Sequence, residues 1–361
     1  MNESEIKFEP AECPKCGSAT SREIASGRDH LYGVPGIFHA ARCSACGLWF
    51  QNPRPAPTET VLLYPAHYGP HSGAEIPTTK PEKPSAGPSF SRAAKRSGKA
   101  FAARFLWRLE PRSYLASQLD YRHLWREGGK VRWPLLDAVK QRSAGLNLIP
   151  RFVDGGRLLE VGCATGSRLE MLRKIGWTDL HGLEMVDAAA EIARARGFAV
   201  KTGVVENEIE RYPDGHFDAI VSSFVLEHLY NPFAVVGMLA RKLKPGGEFL
   251  FSTVCRNAID AKIYGRYWAG YDFPRHMVFF SKKDLRDMIE SDFTKAEFRC
   301  QSAFIDFVRS SSWRIQDGCG NAWDRFAVAA GNTRFTNGLL APFAWAKATT
   351  RIFVRCTKRR G

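Results

Sequence analysis

The stretch Leu158-Leu-Glu-Val-Gly-Cys-Ala-Thr-Gly166 gives the clearest indication of the fold. An apolar run ends at two glycines four residues apart and a helical pattern follows, which predicts a strand, a tight turn and a helix. The turn lets a ligand approach the backbone closely. It does not follow the G-x-G-x-x-G order of dinucleotide sites, because Ala164 and Ser167 stand at the second and third glycine positions. Glu160 instead places a carboxylate beneath the turn, which suits the cationic amine of an amino-acid-bearing cofactor.

Outward from this stretch, short apolar runs alternate with helical patterns, which predicts βαβ units and a parallel sheet. We predict strands at residues 157–161, 180–184, 199–202, 217–223 and 248–254, and helices at 167–175, 188–196 and 233–243. A Lys-Pro-Gly-Gly turn at 244–247 precedes the fifth strand. Residues 293–300 and 351–357 are expected to pair antiparallel at the sheet edge, with mostly helical structure around 313–345. The fold class is α/β with a mostly parallel sheet.

Glu184 is expected to close the second strand, 22 residues beyond Gly162. A carboxylate there can accept hydrogen bonds from the two vicinal hydroxyls of a ribose, as in other nucleoside-binding parallel sheets. A strand-terminal glutamate alone could equally be a solvated edge residue. In phase with the glycine turn, it predicts a nucleoside-bearing cofactor at the carboxyl edge of the sheet.

Four of the nine cysteines form two Cys-x-x-Cys-Gly knuckles, Cys13 with Cys16 and Cys43 with Cys46. Nothing near the N-terminus indicates secretion, so a disulfide framework is not expected. Two knuckles can present four thiolates to one tetrahedral ion, which predicts a structural zinc. The alternatives are chance pairs or a redox pair.

The net charge of +15 comes from 52 basic and 37 acidic residues, but it is unevenly placed. Residues 151–300 carry 21 of each sign, whereas residues 91–133 hold 11 basic and 3 acidic residues and residues 345–361 hold six basic and none acidic. The basic segments 101–109 and 339–347 also contain apolar residues. They could lie on an anionic membrane surface, or both could pack on the catalytic domain. The acidic N-terminus with no apolar stretch behind it predicts a cytoplasmic protein.

The motifs together resemble the class I S-adenosylmethionine-dependent methyltransferases. Besides the opening stretch, the resemblance rests on Gly182-Leu-Glu184, Asp214-Gly-His-Phe-Asp-Ala-Ile-Val-Ser-Ser-Phe-Val-Leu-Glu-His-Leu-Tyr-Asn-Pro232 and Leu243-Lys-Pro-Gly-Gly-Glu-Phe-Leu250. The subgroup it is most similar to contains the ubiquinone-biosynthesis O-methyltransferases, and Tyr267-Trp-Ala-Gly-Tyr-Asp-Phe-Pro-Arg-His-Met-Val-Phe-Phe-Ser281 also fits that subgroup. The knuckles followed by Gly47-Leu-Trp-Phe-Gln-Asn-Pro-Arg-Pro55 resemble bacterial members with an N-terminal zinc ribbon.

The resemblance implies a Rossmann-like sheet with an antiparallel edge strand, and S-adenosylmethionine as cofactor. It assigns the methionine end of the cofactor to Glu160, Gly162, Ala164 and Gly166, the ribose to Glu184, the adenine to Glu206, and the position beneath the methionine to Ser223. The sequence departs from the family pattern in two places. Ala164 replaces the usual middle glycine. Phe224 replaces a carboxylate that helps quinone methyltransferases bind a divalent metal, so the resemblance does not carry that metal site over to this sequence.

Methyl transfer from a sulfonium to a hydroxyl or carbon acceptor requires a base that removes the acceptor's proton. His228, beside Glu227 just after the fourth strand, and His276, in Pro-Arg-His after the fifth, are the candidates. Either could instead be a packing or surface histidine. Tyr271 and Arg275 are lesser candidates for the acceptor pocket.

We predict four regions: a zinc ribbon (1–64), a proline-rich linker (65–95), a helical segment capping the catalytic domain (96–150), and a methyltransferase domain with a helical insertion and basic tail (151–361). The predicted activity is O- or C-methylation of a small molecule or a glycan or lipid precursor. One alternative is an RNA methyltransferase that uses the basic segments, although the fourth strand lacks the Asn-Pro-Pro-Tyr sequence of amino-directed enzymes. A second is a non-catalytic assembly protein.

Overall fold

The structure is a computed structural model and describes residues 6–64 and 148–360. The predicted linker, most of the predicted capping segment and the basic segment 101–109 lie outside these residues. We call residues 6–64 the N-terminal module. It contains the 3-10 helix Pro57–Leu63 and five strands: β1 (Phe8–Glu9), β2 (Ser21–Gly27), β3 (Phe38–Cys43), β4 (Trp49–Gln51) and β5 (Arg54–Pro55).

The remaining described residues form the body of the molecule. Its strands are β6 (Arg157–Val161), β7 (Asp179–Glu184), β8 (Ala199–Thr202), β9 (Phe217–Ser223), β10 (Leu243–Val254), β11 (Val278–Phe279), β12 (Phe293–Gln301) and β13 (Arg351–Lys358). Its α-helices are α1 (Ser167–Ile175), α2 (Asp187–Ala195), α3 (Val205–Glu208), α4 (Pro232–Lys242), α5 (Ile259–Tyr264), α6 (Lys282–Ile289), α7 (Phe304–Gln316), α8 (Ala322–Ala330), α9 (Arg334–Leu339) and α10 (Ala341–Trp345).

Seven strands form one sheet in the order β12-β13-β10-β9-β6-β7-β8. Strands β6 to β10 are parallel, and β13 runs antiparallel to both of its neighbours, so the predicted fold class and the antiparallel pair are confirmed. The strand order reverses at β6, which pairs with β7 on one side and β9 on the other. Open α/β sheets bind ligands at such a reversal, outside the carboxyl ends of the strands.

The predicted turn before the fifth strand proves to be a bulge within β10. Leu243 already pairs with Phe217, and the register then shifts before Glu248 pairs with Ala219. Leu243 is fully buried, so its packing holds the start of the strand in the sheet while the chain loops out, with Gly246 at φ +80°.

The core lies on both faces of the large sheet. Leu158 packs on one face with residues of α1 and α2, and Leu159 packs on the other with residues of α4. The hydrophobic cluster that contains Leu159 continues into the N-terminal module, where it includes Phe38 and Phe50.

The N-terminal module shares a second sheet with the body, in the order β11-β4-β3-β2. Val278 pairs with Phe50, and Phe279 pairs with Trp49. Lys15, between the first two cysteines, also forms ion pairs with Asp284 and Asp287 of α6. Within the described ranges, no helix is both long and apolar enough to cross a bilayer.

Candidate functional site

The turn after β6 uses left-handed backbone at three positions, with φ +72° at Gly162, +46° at Ala164 and +80° at Gly166. A Cβ on Gly162 would lie 2.4 Å from a methyl carbon of Val225, and one on Gly166 would lie 3.0 Å from the ring of Phe198. Both positions therefore require glycine for space as well as for φ. Ala164 keeps the glycine-like conformation despite its Cβ, which is a strained choice for an L-residue.

Glu184 braces this turn. Its Oε2 accepts a hydrogen bond from the Ala164 amide at 2.8 Å, and its Oε1 accepts one from the Val186 amide at 2.9 Å. The side chain is buried at the end of β7. A carboxylate oxygen has two lone pairs, so a carboxylate can accept hydrogen bonds from ribose hydroxyls as well as from backbone amides.

Glu160 lies beneath the turn and is 3% exposed. Its Oε1 accepts from Arg168 Nε at 2.9 Å, whereas its Oε2 has no hydrogen-bond partner among residues 6–64 and 148–360. Burial raises the pKa of this carboxyl to about 7, although the Arg168 charge opposes the shift. An unpaired buried carboxylate oxygen is costly, and the ammonium group of an amino-acid-bearing cofactor would relieve that cost. The residues present therefore fit S-adenosylmethionine.

The other two predicted cofactor residues lie near the same edge of the sheet. Glu206 is half-buried in the first turn of α3, which follows β8. Ser223 ends β9, and its hydroxyl lies 3.2 Å from that of Ser252 on β10. Val225, which covers Gly162, accepts a hydrogen bond from the amide of His228 and so links this edge to the predicted catalytic residues.

The structure brings both candidate histidines together, with ring centroids 4.7 Å apart. We call Glu227, His228, Asp272 and His276 the acceptor-side cluster. His276 Nδ1 lies 2.9 Å from the Gly270 carbonyl oxygen, which can only accept, so Nδ1 carries the proton. The free Nε2 lies 3.7 Å from Asp272 Oδ2 and 4.0 Å from Glu227 Oε1.

The two carboxylates that face His276 have opposite pKa shifts. Burial raises the pKa of Glu227, and its Oε2 accepts from the Thr253 hydroxyl at 2.8 Å. Burial also acts to raise the pKa of Asp272, but the charge and hydrogen bonds of Arg275 outweigh it and hold that pKa well below its usual range. A proton taken up by His276 would therefore lie beside an ionised carboxylate.

His228 is held in a different state. Its Nδ1 lies 3.1 Å from the Arg275 carbonyl oxygen and 3.0 Å from the Tyr64 hydroxyl. Burial, with the neighbouring His276, lowers its pKa to about 3, so this ring is neutral at ordinary pH and takes up a proton poorly.

Glu227, His228 and His276 each offer one ligand atom, and these atoms lie within 4.8 Å of one another. Two imidazoles and a carboxylate could hold a transition-metal ion better than magnesium, which prefers oxygen ligands. Three residues before Glu227, Phe224 packs against Phe353 and beneath the Arg351 guanidinium, where it supplies no ligand.

The four knuckle cysteines converge in the N-terminal module. Cys13 Sγ lies 3.5 Å from Cys46 Sγ, Cys16 Sγ lies 3.6 Å from Cys43 Sγ, and all four sulfurs lie within 4.8 Å of one another. Tetrahedral Zn–S bonds of about 2.3 Å require sulfurs about 3.8 Å apart, so the cluster fits one zinc ion.

Sequence reasoning missed what the N-terminal module contributes at the acceptor-side cluster. Asp29, Gln51 and Tyr64 all contact the segment 272–277 or His228. Arg275, a predicted candidate for the acceptor pocket, is fully buried and bonded to Asp29 and Asp272. Gln51 offered a signal, because it is a polar residue directly after the apolar run Leu48-Trp-Phe50.

A family model described as a methyltransferase domain matches residues 136–294. The ubiquinone biosynthesis O-methyltransferase of Shewanella halifaxensis is 32% identical over 192 residues, which cover 50% of this chain and 78% of that enzyme. The enzyme of the same name from Photorhabdus laumondii is 34% identical over 130 residues, covering 34% of this chain and 50% of that enzyme. A solved S-adenosylmethionine-dependent methyltransferase from Archaeoglobus fulgidus is 14% identical with a TM-score of 0.40, covering 56% of this chain and 86% of that one.

Proposed function

This chain belongs to the class I S-adenosylmethionine-dependent methyltransferases, and we propose that it methylates a hydroxyl oxygen of a small-molecule acceptor, with His276 as the proton acceptor. The observation that carries this proposal is the free Nε2 of His276, which faces Asp272 Oδ2 at 3.7 Å and Glu227 Oε1 at 4.0 Å. We call the turn at residues 162–166 the cofactor turn. Both relatives are named as O-methyltransferases, which agrees with this proposal.

The cofactor would be held at the carboxyl edge of the sheet. Glu160 and the turn at Gly162, Ala164 and Gly166 would bind its methionine end, with Ser223 beneath. Glu184 would bind the ribose and Glu206 the adenine. The bound cofactor supplies the methyl group and leaves as S-adenosylhomocysteine. The unpaired Oε2 of Glu160 and the buried position of Glu184 support this arrangement.

The residues of this chain would handle the acceptor's proton. During methyl transfer, the acceptor hydroxyl would give its proton to His276 Nε2. Glu227 and Asp272 would stabilise the resulting positive ring. Because His228 is neutral, its remaining ring nitrogen can accept a hydrogen bond that orients the acceptor hydroxyl without competing for the proton.

A buried base favours a hydroxyl acceptor over an amine. A neutral amine attacks with its own lone pair and can lose its proton afterwards, whereas a hydroxyl must lose its proton as it attacks. An acidic carbon would need the same base, so C-methylation is the alternative that product analysis must separate from O-methylation.

The test measures release of S-adenosylhomocysteine with catechol, phenol and glucose as probe acceptors. We expect turnover with a hydroxyl acceptor, and we expect His276→Gln to lower kcat at least a hundredfold. His216→Gln is the matched control, because His216 precedes β9 at the opposite edge of the sheet. Full activity in His276→Gln would refute the assignment of the base, and a C-methylated product would refute O-methylation.

The four cysteines of the N-terminal module would hold one structural zinc, since four thiolates leave no open position for catalysis. Metal analysis should find about one zinc per chain and a loss of zinc in the Cys13→Ser, Cys43→Ser double variant. Cys319→Ser, which changes an exposed cysteine of the body, is the control and should keep the metal. Equal zinc in all three proteins would overturn the site.

Segment 339–347 would attach the enzyme to an anionic membrane surface. Leu340, Ala341 and Ala344 of this segment are buried, and its large exposed apolar side chains are those of Leu339, Phe343 and Trp345. Lys347 lines a groove of about 720 Å³ whose other cationic residues are Arg286, Lys295, Arg299 and Arg359. Glu290 and Glu297 also line it, so the groove keeps an excess of positive charge. Each basic residue near an anionic surface contributes on the order of 1 kcal/mol.

Co-sedimentation with vesicles tests this attachment. The protein should bind equimolar phosphatidylcholine–phosphatidylglycerol vesicles at low salt and not pure phosphatidylcholine, and Trp345→Ser should weaken the binding. Phe326→Ser removes a similarly exposed aromatic from α8 and should not. No binding to the anionic vesicles would eliminate the membrane contact.

A further inference from the structure

The chain segment that carries His276 is fixed by hydrogen bonds from the N-terminal module. The Gln51 side-chain amide donates to the carbonyl oxygens of Pro274 and His276, at 2.7 Å each. The backbone amide of Gln51 donates to Met277 at 2.9 Å. Gln51 is fully buried, so no water competes for these bonds. One residue of the module thus holds the main chain on both sides of Arg275.

Arg275 fixes the same segment through its side chain. Its guanidinium donates two hydrogen bonds of 2.8 Å to Asp29, and both side chains are completely buried. Asp29 is itself held by the backbone amides of Leu31, Tyr32 and Val34. The bidentate pair defines an orientation as well as a distance, so the module restrains Arg275 more tightly than a single contact would.

The second histidine also contacts the module. The Tyr64 hydroxyl lies 3.0 Å from His228 Nδ1. The two histidines of the acceptor-side cluster are thus held from the same side, by residues 164 and 225 positions away in the sequence.

We propose that the N-terminal module positions the catalytic histidines, with Gln51 as the positioning residue for His276 and Tyr64 as the positioning residue for His228. This inference rests on the proposed function for its kinetic consequence. Neither residue takes part in bond making. Each keeps an imidazole nitrogen at a fixed place and angle relative to the cofactor turn, and a displacement of about 1 Å can lower a rate a hundredfold.

The first measurement needs no acceptor. Imidazole ¹⁵N spectra of the full chain report the protonated nitrogen of each ring, and His228→Gln and His276→Gln assign the signals. Gln51→Met keeps the side-chain volume but removes both donors, and we expect it to shift the His276 signals. Tyr64→Phe removes only a hydroxyl and should shift the His228 signals. Asp287→Asn is the control, because it removes a module–body ion pair with Lys15 and leaves the hydrogen bonds of Gln51 and Tyr64 in place.

The second measurement separates positioning from binding. With catechol as probe, we expect Gln51→Met to lower kcat tenfold to a hundredfold while the KM for S-adenosylmethionine stays within twofold. Asp287→Asn should change neither constant. A folded Gln51→Met protein with unchanged His276 signals, or Asp287→Asn shifting them equally, would overturn the inference. If the signals shift but His276→Gln remains active, the positioning stands and the proposed base is wrong.

Discussion

The cofactor turn and the acceptor-side cluster lie near the same edge of the large sheet. The residues that bond to each other in the first are close in sequence, whereas those that bond to each other in the second are far apart in sequence. In the cofactor turn, Arg168 bonds to Glu160 across 8 residues and Ala164 bonds to Glu184 across 20. In the acceptor-side cluster, Tyr64 reaches His228 across 164 residues and Asp29 reaches Arg275 across 246. One βαβ unit suffices for the first site, whereas the second requires the N-terminal module to dock. The two sites should therefore respond separately to mutation.

The largest expected effect follows from Asp29→Asn. The change leaves the Arg275 guanidinium buried with only Asp272 as a charged partner, so the free energy of unfolding should fall by about 3 kcal/mol. Urea denaturation measures this loss. Glu23→Gln is the control, since Glu23 pairs with His39 on the exposed surface of the same module and should cost less than about 1 kcal/mol.

Calorimetry with S-adenosylhomocysteine tests whether Asp29→Asn leaves the cofactor turn unchanged. The folded variant should bind this ligand with the affinity of the original protein, because the module does not contribute to the cofactor turn. A parallel loss of stability and ligand affinity would show that the two sites are a single unit.

Glu184→Ala should have the converse effect. It removes the acceptor of two backbone hydrogen bonds at the cofactor turn and the proposed partner of the ribose, so S-adenosylmethionine should bind about 1.5 to 3 kcal/mol more weakly by calorimetry. The imidazole ¹⁵N signals of His228 and His276 should not move. Glu191→Ala, on the exposed face of α2, is the matched control. Unchanged affinity in Glu184→Ala would contradict the cofactor assignment.

Glu160 makes cofactor binding depend on pH. The folded pKa of about 7 lies above the ordinary value of 4.5, so an ammonium ligand that needs the ionised form must displace a proton below pH 7. Affinity should therefore fall as the pH drops through 7, by at most about tenfold per pH unit. Calorimetry in buffers of different ionisation enthalpy should detect the released proton.

The variant Glu160→Gln should bind more weakly and with little dependence on pH in this range. In the absence of ligand, the contribution of Glu160 to folding stability changes with pH in the direction opposite to the change in ligand affinity. Between pH 4.5 and 7 the folded protein keeps a proton that the unfolded chain has released, so the contribution of Glu160 to stability declines as the pH rises through that window. An unchanged pH dependence of ligand affinity in Glu160→Gln would assign the effect to another group.

The smallest effect is expected at Ala164. Its φ of +46° disfavours a side chain, so Ala164→Gly should raise the free energy of unfolding by about 1 kcal/mol. Ala188→Gly places the same change in the first turn of α2 and should lower it by about 0.5 to 1 kcal/mol. If urea denaturation shows that both variants change the free energy of unfolding in the same direction, the backbone at Ala164 is not strained.

Sequence patterns predicted the cofactor half of the molecule well because its geometry is local. The alternation of short apolar runs with helical patterns predicted β6, β8 and β9 at their observed bounds. The spacing from Gly162 to Glu184 predicted that both lie at one edge of the sheet. The pairing of β12 with β13 was also predicted and is confirmed. The roles of the individual site residues remain predictions for the experiments above.

The acceptor half could not be predicted in the same way. No periodicity in residues 6–64 indicates that Gln51 will face the carbonyl groups of Pro274 and His276, because that contact depends on how two separate core surfaces pack. The Pro-Arg-His motif suggested an arginine available to an acceptor, whereas packing against Asp29 buries Arg275 completely. His228 and His276 were weighed as alternatives, and only the folded chain shows them in contact.

The pairing of β4 with β11 can form only late in the synthesis of the chain. Gln51 and Met277, which are joined by a backbone hydrogen bond, are 226 residues apart. At ordinary translation rates of about 5 to 20 residues per second, the exposed edge of β4 waits on the order of tens of seconds for its partner strand to leave the ribosome. Unpaired strand edges are sites of aggregation. The N-terminal module therefore completes its sheet only after most of the chain has been made, although it is synthesised first.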